Sequence, residues 1–184
     1  GYHNIVNFRP ELRERTVFVD SLSKTYGMPG WRVGLMAGPE SVAQAITTLN
    51  SNHITNLPEI VVAAAVAALA GPQDVPKQKC REFEAKRDVV LAALAAIPGV
   101  KCPRPQGAFY VFPDISCAFG KSHGGKVIAN DVDFCNLLLE AEGVACVPGS
   151  AFGEPSALRI SYTCPDAPLK EGLRRIQAFF AALV

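Results

Sequence analysis

Apolar positions along the chain come first in short runs and then in helical stripes. Thr16-Val17-Phe18-Val19-Asp20 is rich in β-branched and aromatic residues and predicts a buried strand over 16–20. A second strand is predicted from Arg32 to Ala37, ending at Gly38-Pro39. Before them, residues up to Glu14 read as a connecting loop in which Pro10 breaks regular structure. The pattern then turns helical. A helix over Glu40 to Leu49 follows Pro39, with a carboxylate in its first turn as the helix dipole favours. Pro58 to Leu69 is almost wholly apolar and predicts a helix buried on most sides. From Pro76 to Ile97 the positions Phe83, Val90, Leu94 and Ile97 keep helical spacing until Pro98-Gly99 stops them.

The last third mixes both periods. Val100 to Pro103 and Ala108 to Phe112 read as strands around a Pro-Gln-Gly turn at 105–107, and Gly120 to Gly125 as a polar surface loop. A helix over Asp131 to Glu142 carries Phe134, Leu137, Leu138 and Ala141 and is closed by Gly143. Strands at Val144 to Val147 and Ala157 to Tyr162 precede a helix capped by Asp166, with a stripe of Leu169, Leu173, Ile176, Phe180 and Leu183. This mixture predicts an α+β unit attached to something larger, and two early strands with few nearby partners point to a missing N-terminal portion.

Composition narrows the classes. The chain has 184 residues, 49% hydrophobic, with 18 Lys+Arg against 17 Asp+Glu. A net charge of +1 removes the electrostatic case for nucleic acid. The longest apolar run, Ile60 to Ala70, falls short of the roughly 20 residues that span a bilayer. Gly1-Tyr2-His3-Asn4 has neither the basic start nor the apolar stretch of a signal peptide, so the expectation is a soluble cytoplasmic protein. The six cysteines are scattered without C-x-x-C pairs or histidines at ligand spacing, so structural thiols are expected and no metal site.

The chemistry concentrates in Ser21-Leu22-Ser23-Lys24-Thr25-Tyr26-Gly27-Met28-Pro29-Gly30-Trp31-Arg32-Val33-Gly34. A lysine just after a buried strand, among small residues, is placed for partial desolvation, which favours the neutral, nucleophilic amine. Ser21 and Arg32 add a hydroxyl and a forked guanidinium, groups that hold a phosphate monoester, while Met28 and Trp31 can exclude water. Singly, each residue reads as an ordinary surface group. Together they suit a phosphorylated aldehyde held as an imine.

This segment resembles the pyridoxal-phosphate attachment signature of class-I and class-II aminotransferases, the aspartate aminotransferase-like branch of fold type I. Ser21, Ser23, Lys24, Gly27, Gly30, Arg32 and Gly34 all stand where the signature has them. Pro105-Gln106-Gly107-Ala108-Phe109-Tyr110 is similar to the family's strand at the substrate mouth, Val147-Pro148-Gly149-Ser150-Ala151-Phe152-Gly153 to its small-domain turn, and Leu158-Arg159-Ile160-Ser161-Tyr162 to the strand whose arginine grips the substrate α-carboxylate. The polar stretch Asn52 to Asn56 matches the family only loosely and reads as an interhelical loop.

The resemblance implies an α/β chain of fold type I. Residues 1–45 would close the large cofactor-binding domain, 46–98 would be interdomain and small-domain helices, and 99–184 the small α+β domain. It implies pyridoxal 5'-phosphate, a Schiff base at catalytic Lys24, cofactor binding by Ser21, Ser23, Lys24 and Arg32, and substrate binding by Arg159 and Phe109. It also implies a homodimer acting on an amino acid and a 2-oxo acid. The family's ring-stacking aromatic, its pyridine-nitrogen Asp and a following tyrosine have no counterparts here, and Tyr2 aligns better with the loop beyond that tyrosine. A C-terminal half, inactive alone, is therefore expected. A C–S lyase, decarboxylase or synthase on the same scaffold, or a non-catalytic dimerisation or binding module, are the alternatives.

Overall fold

In the computed structural model, which describes residues 3–184, the chain divides into one unit up to Gln78 and another from Lys79 to Val184. Tyr2, set aside above as the site tyrosine, lies outside the described residues.

The first unit is organised by an antiparallel pair, β1 (Phe18–Ser21) and β2 (Gly34–Ala37), in register from Phe18↔Ala37 to Ser21↔Gly34. Both strands start two residues later than expected, for local reasons. The Thr16 hydroxyl donates to the Leu12 carbonyl at 2.9 Å, tying it to the preceding turn. Arg32 has a left-handed φ of 52°, which no strand accommodates. The stretch before β1 is helical rather than loop. Asn4 caps α1 (Ile5–Phe8) by accepting from the Val6 N–H at 3.1 Å, and Pro10 opens a 3-10 turn over Pro10–Arg15. A first turn leaves its N–H groups unused, so proline starts it rather than breaking it.

One helical turn, α2 (Leu22–Thr25), follows β1, and α3 (Glu40–His53) and α4 (Glu59–Ala70) follow β2. Because α3 runs past Leu49, Asn52 and His53 are helical rather than part of a loop; left-handed Thr55 lies just beyond. Leu22, Val33 and Ala65 form a small buried cluster, with Tyr26, Met28, Leu57, Val61 and Ala68 against it. The expected burial of α4 on most sides is not found. Only its Ala65 is buried, while Ile60, Val62, Val66 and Leu69 are exposed, because the cluster covers a single face of the helix.

α5 (Asp74–Ala95) begins before Pro76, which sits harmlessly in its first turn. The second unit holds a three-stranded antiparallel sheet in the order β3 (Tyr110–Val111), β7 (Leu158–Ser161), β6 (Val147–Pro148). α6 (Asp131–Glu142) and α7 (Asp166–Ala181) pack with it. Val90, Leu94 and Ile97 meet Phe134, Leu138, Ile176 and Phe179 in the main core. The strands are shorter than predicted, because Pro103, Pro113 and Pro148 supply no ladder N–H. Residues 100–103 keep only the bridge Lys101↔Asp114.

The glycine-rich loop is in fact a hairpin, β4 (Ser122–His123) with β5 (Lys126–Val127). It turns on Gly124 (φ 56°) and Gly125 (φ 79°), the positive pair that a tight hairpin turn needs. Asp166 is not a cap. Pro165 takes that position, and the Asp166 carboxylate lies 3.3 Å from the Lys86 Nζ instead. Phe179 rather than Phe180 is the fully buried residue of α7. Burial pushes the Cys135 thiol up to about 11 and the Cys146 thiol to about 12, so both stay protonated at neutral pH. Among the described residues, no single helix is long and apolar enough to cross a membrane.

Candidate functional site

The β1–β2 register extends one step beyond the strands, where the Leu22 N–H donates to the Val33 carbonyl at 3.3 Å. That step brings the ladder to the helical turn holding Ser23 and Lys24 on one side and to Arg32 on the other. Buried Leu22 and Val33 anchor the two segments from below. Gly34 is required opposite Ser21, since a Cβ there would lie 2.9 Å from the Asp20 carbonyl oxygen. Arg32 follows the 3-10 turn Pro29–Trp31, and its guanidinium donates to the Pro29 carbonyl at 2.8 Å. The Asp20 carboxylate accepts from the Ser21 N–H at 2.7 Å.

Ser21 and Ser23 are half-buried, whereas Lys24 and Arg32 are exposed. The expected desolvation of Lys24 is therefore not provided by this chain's own residues. Trp31 is exposed as well, and Met28 packs on the small cluster, so neither shields the lysine from water. As a donor set, two hydroxyls, an ammonium and a guanidinium fit a phosphate monoester carrying a carbonyl, which is what pyridoxal 5'-phosphate presents.

Arg159 and Phe109 lie in the second unit. Arg159 sits on the central strand β7, paired with Val147. Its guanidinium carbon is 4.5 Å from the centre of the Tyr110 ring and 4.5 Å from that of Phe152. Arg159 is half-buried, and its side chain makes no hydrogen bond or ion pair among the described residues. The Phe109 ring is 4.5 Å from that of Tyr110 and 6.2 Å from Phe83, and packs against the main core. The backbone of Ala108 and Phe109 is held by two bonds from Tyr162. The Tyr162 N–H donates to the Phe109 carbonyl and the hydroxyl to that of left-handed Ala108, each at 3.1 Å.

Phe152 ends the 3-10 turn Gly149–Phe152. A Cβ on Gly149 would lie 2.2 Å from the Glu154 carbonyl oxygen, so no other residue fits. Buried Asp131 accepts from the Ser150 N–H at 2.7 Å and fixes the turn. Burial pushes the Asp131 carboxyl up, but the Ser150 donors and the N–H groups of its own helix turn outweigh it and hold the group below its usual range.

Sequence reasoning singled out Arg159 and Phe109 but not Tyr110, Phe152 or Asp131. The first two stand in the Phe109-Tyr110 and Phe152-Gly153 pairs of the quoted motifs, but nothing in a linear motif shows that both rings meet one arginine. Asp131 is legible only as an acid in a first helical turn.

The family model for aminotransferase class I and II matches residues 2–176. The aspartate/prephenate aminotransferase of Cereibacter sphaeroides is 45% identical over 95% of this chain and 44% of its own length. The aspartate aminotransferase of Rhizobium meliloti is 45% identical over 92% of this chain and 42% of its own. A crystal structure of aspartate aminotransferase from Rhizobium meliloti superposes with a TM-score of 0.95 at 42% identity, covering all of this chain and 46% of that one. The chain thus spans less than half the length of the relatives it matches, and it has the fold of the corresponding part of a fold type I enzyme. With the Lys24 segment, the Arg159 strand and these likenesses in agreement, the chain belongs to the class I and II aminotransferases.

Proposed function

We propose that this chain supplies the C-terminal part of a pyridoxal-phosphate-dependent aminotransferase that moves an amino group from an amino acid to a 2-oxo acid. The observation that carries the reading is the gathering of Ser21, Ser23, Lys24 and Arg32 at the end of one hairpin. Aspartate is the proposed amino donor, because the curated relatives are named for it. In this reading residues 1–45 belong to the cofactor-binding domain, 46–98 to connecting helices and 99–184 to the small domain. The working form is a homodimer in the cytoplasm, where six free thiols are in keeping with a reducing compartment.

Lys24 is the amine that carries the cofactor. Ser21, Ser23 and Arg32 hold the cofactor's phosphate through charge-assisted bonds. When bound, the cofactor supplies the electron-withdrawing ring that makes a substrate Cα proton removable. Lys24 would take that proton from Cα as general base and, as general acid, deliver it to a different carbon, the 1,3-shift that amino transfer requires. Arg159 donates from its forked N–H edge to the substrate α-carboxylate and so orients the Cα–H bond, with Phe109 at the substrate mouth.

The test is the intact mass of the natural protein carrying this chain, before and after borohydride reduction. A gain of one reduced pyridoxyl-phosphate group located at Lys24, lost together with turnover in Lys24→Ala, is the expected result. No mass gain would overturn cofactor binding and leave a non-catalytic module. A gain with aspartate consumed but no amino group passed to a 2-oxo acid would move the assignment to a lyase, decarboxylase or synthase.

A further inference from the structure

We propose that Tyr110 and Phe152 form an aromatic clamp that positions the Arg159 guanidinium for in-plane binding of a carboxylate. The inference rests on the reading of Arg159 as the carboxylate-binding residue and adds the two groups that aim it. Three observations carry it. Both rings lie 4.5 Å from the guanidinium carbon, within cation–π range. The Arg159 side chain is half-buried and has no acidic or carbonyl partner among the described residues, so its edge N–H groups remain for a ligand. Phe152, in turn, is 50% exposed although large and apolar, and it is braced from behind by Phe112 at 6.1 Å, edge-on at 84°.

The physics of the clamp is directional. A guanidinium lying over ring faces favours a stacked orientation, which blocks approach over its own faces and leaves the hydrogen-bonding edge open. The edge is where a planar carboxylate makes two parallel N–H···O bonds. The same stacking also restricts an otherwise flexible side chain before the ligand arrives, so less conformational freedom is lost on binding. Asp131, Gly149 and left-handed Gly153 act one step further out, by fixing the turn that presents Phe152.

The experiment uses the natural holoenzyme with L-aspartate as amino donor. Phenylalanine at position 152 is replaced by mono-, di- and trifluorinated phenylalanine, which keeps the ring's shape and drains its π face stepwise. Tyr110→Leu and Tyr110→Phe accompany the series, and Arg159→Lys serves as the control for the underlying reading. The expected result is a KM for L-aspartate that rises with each fluorine, and a rise of roughly tenfold in Tyr110→Leu. KM should change more than kcat, cofactor content should hold, and Tyr110→Phe should restore binding. A KM flat across the fluorinated series and in Tyr110→Leu, with Arg159→Lys still impaired, would overturn the clamp and leave Arg159 as the carboxylate residue. An unimpaired Arg159→Lys would overturn the reading beneath it.

Discussion

At the scale of single residues, Asp131 shows how a buried charge shapes a site it does not touch. Its carboxylate is 2% exposed and meets the Ser150 N–H at 2.7 Å, so the turn carrying Phe152 is tied to the first turn of α6. An ionised acceptor makes this bond stronger than a neutral amide would, by about 1 kcal/mol. The folded-state pKa is lowered from 3.8, so the contribution is present in full above that value and is lost as the pH falls below it through the folded pKa. Asp131→Asn is expected to unfold at lower urea than the parent at pH 7, with the gap narrowing toward pH 3. A gap of equal size at both pH values would show that the charge contributes nothing.

Among the secondary-structure elements, the hairpin β4–β5 depends on two backbone conformations. Gly124 and Gly125 both have positive φ, and Ser122 exchanges backbone bonds with Val184 at 2.7 and 3.1 Å, so the hairpin also holds the chain's last residue. Gly125→Ala is expected to cost about 1 kcal/mol, because an L side chain is strained at φ 79°. It should speed amide exchange at Ser122 and Val184 together; unchanged exchange at Val184 would break the link. This element also marks where sequence reading stops. α6 was legible to the residue, since Phe134, Leu137 and Leu138 keep helical spacing and Gly143, at φ 66°, ends it. Two-residue strands carry no period, so β4 and β5 were hidden in a run of polar residues. The same contrast holds for the candidate site. Ser21, Ser23, Lys24 and Arg32 are legible because they fall within one short stretch that folds as a hairpin. Phe152 and Arg159 are separated by one turn, but Tyr110 comes from a distant segment, and the meeting of both rings on one arginine is a tertiary fact that no local spacing encodes.

Across the whole chain, the two units differ in what holds them. In the second, eighteen buried residues form one cluster, including fully buried Phe134, Leu138 and Phe179. In the first, three residues, Leu22, Val33 and Ala65, are buried together, while Val19 is 74% and Ile60 70% exposed. Apolar burial is the main favourable term in folding, so regional stability should follow these clusters. Exposed apolar patches of this kind also favour association and dye binding. For the 184-residue chain studied alone, amides around Val90, Leu138 and Ile176 are therefore expected to exchange slowest. Those of β1, β2 and α4 should exchange orders of magnitude faster and should lose protection first as urea is added. Hydrogen exchange followed by mass spectrometry separates the regions directly, and a hydrophobic dye should bind the chain before any second-unit amide opens. If β1 and β2 were protected as strongly as α6 and α7, the Leu22 cluster would have to be far more stabilising than its size allows, and the hairpin bearing Lys24 would be rigid on its own.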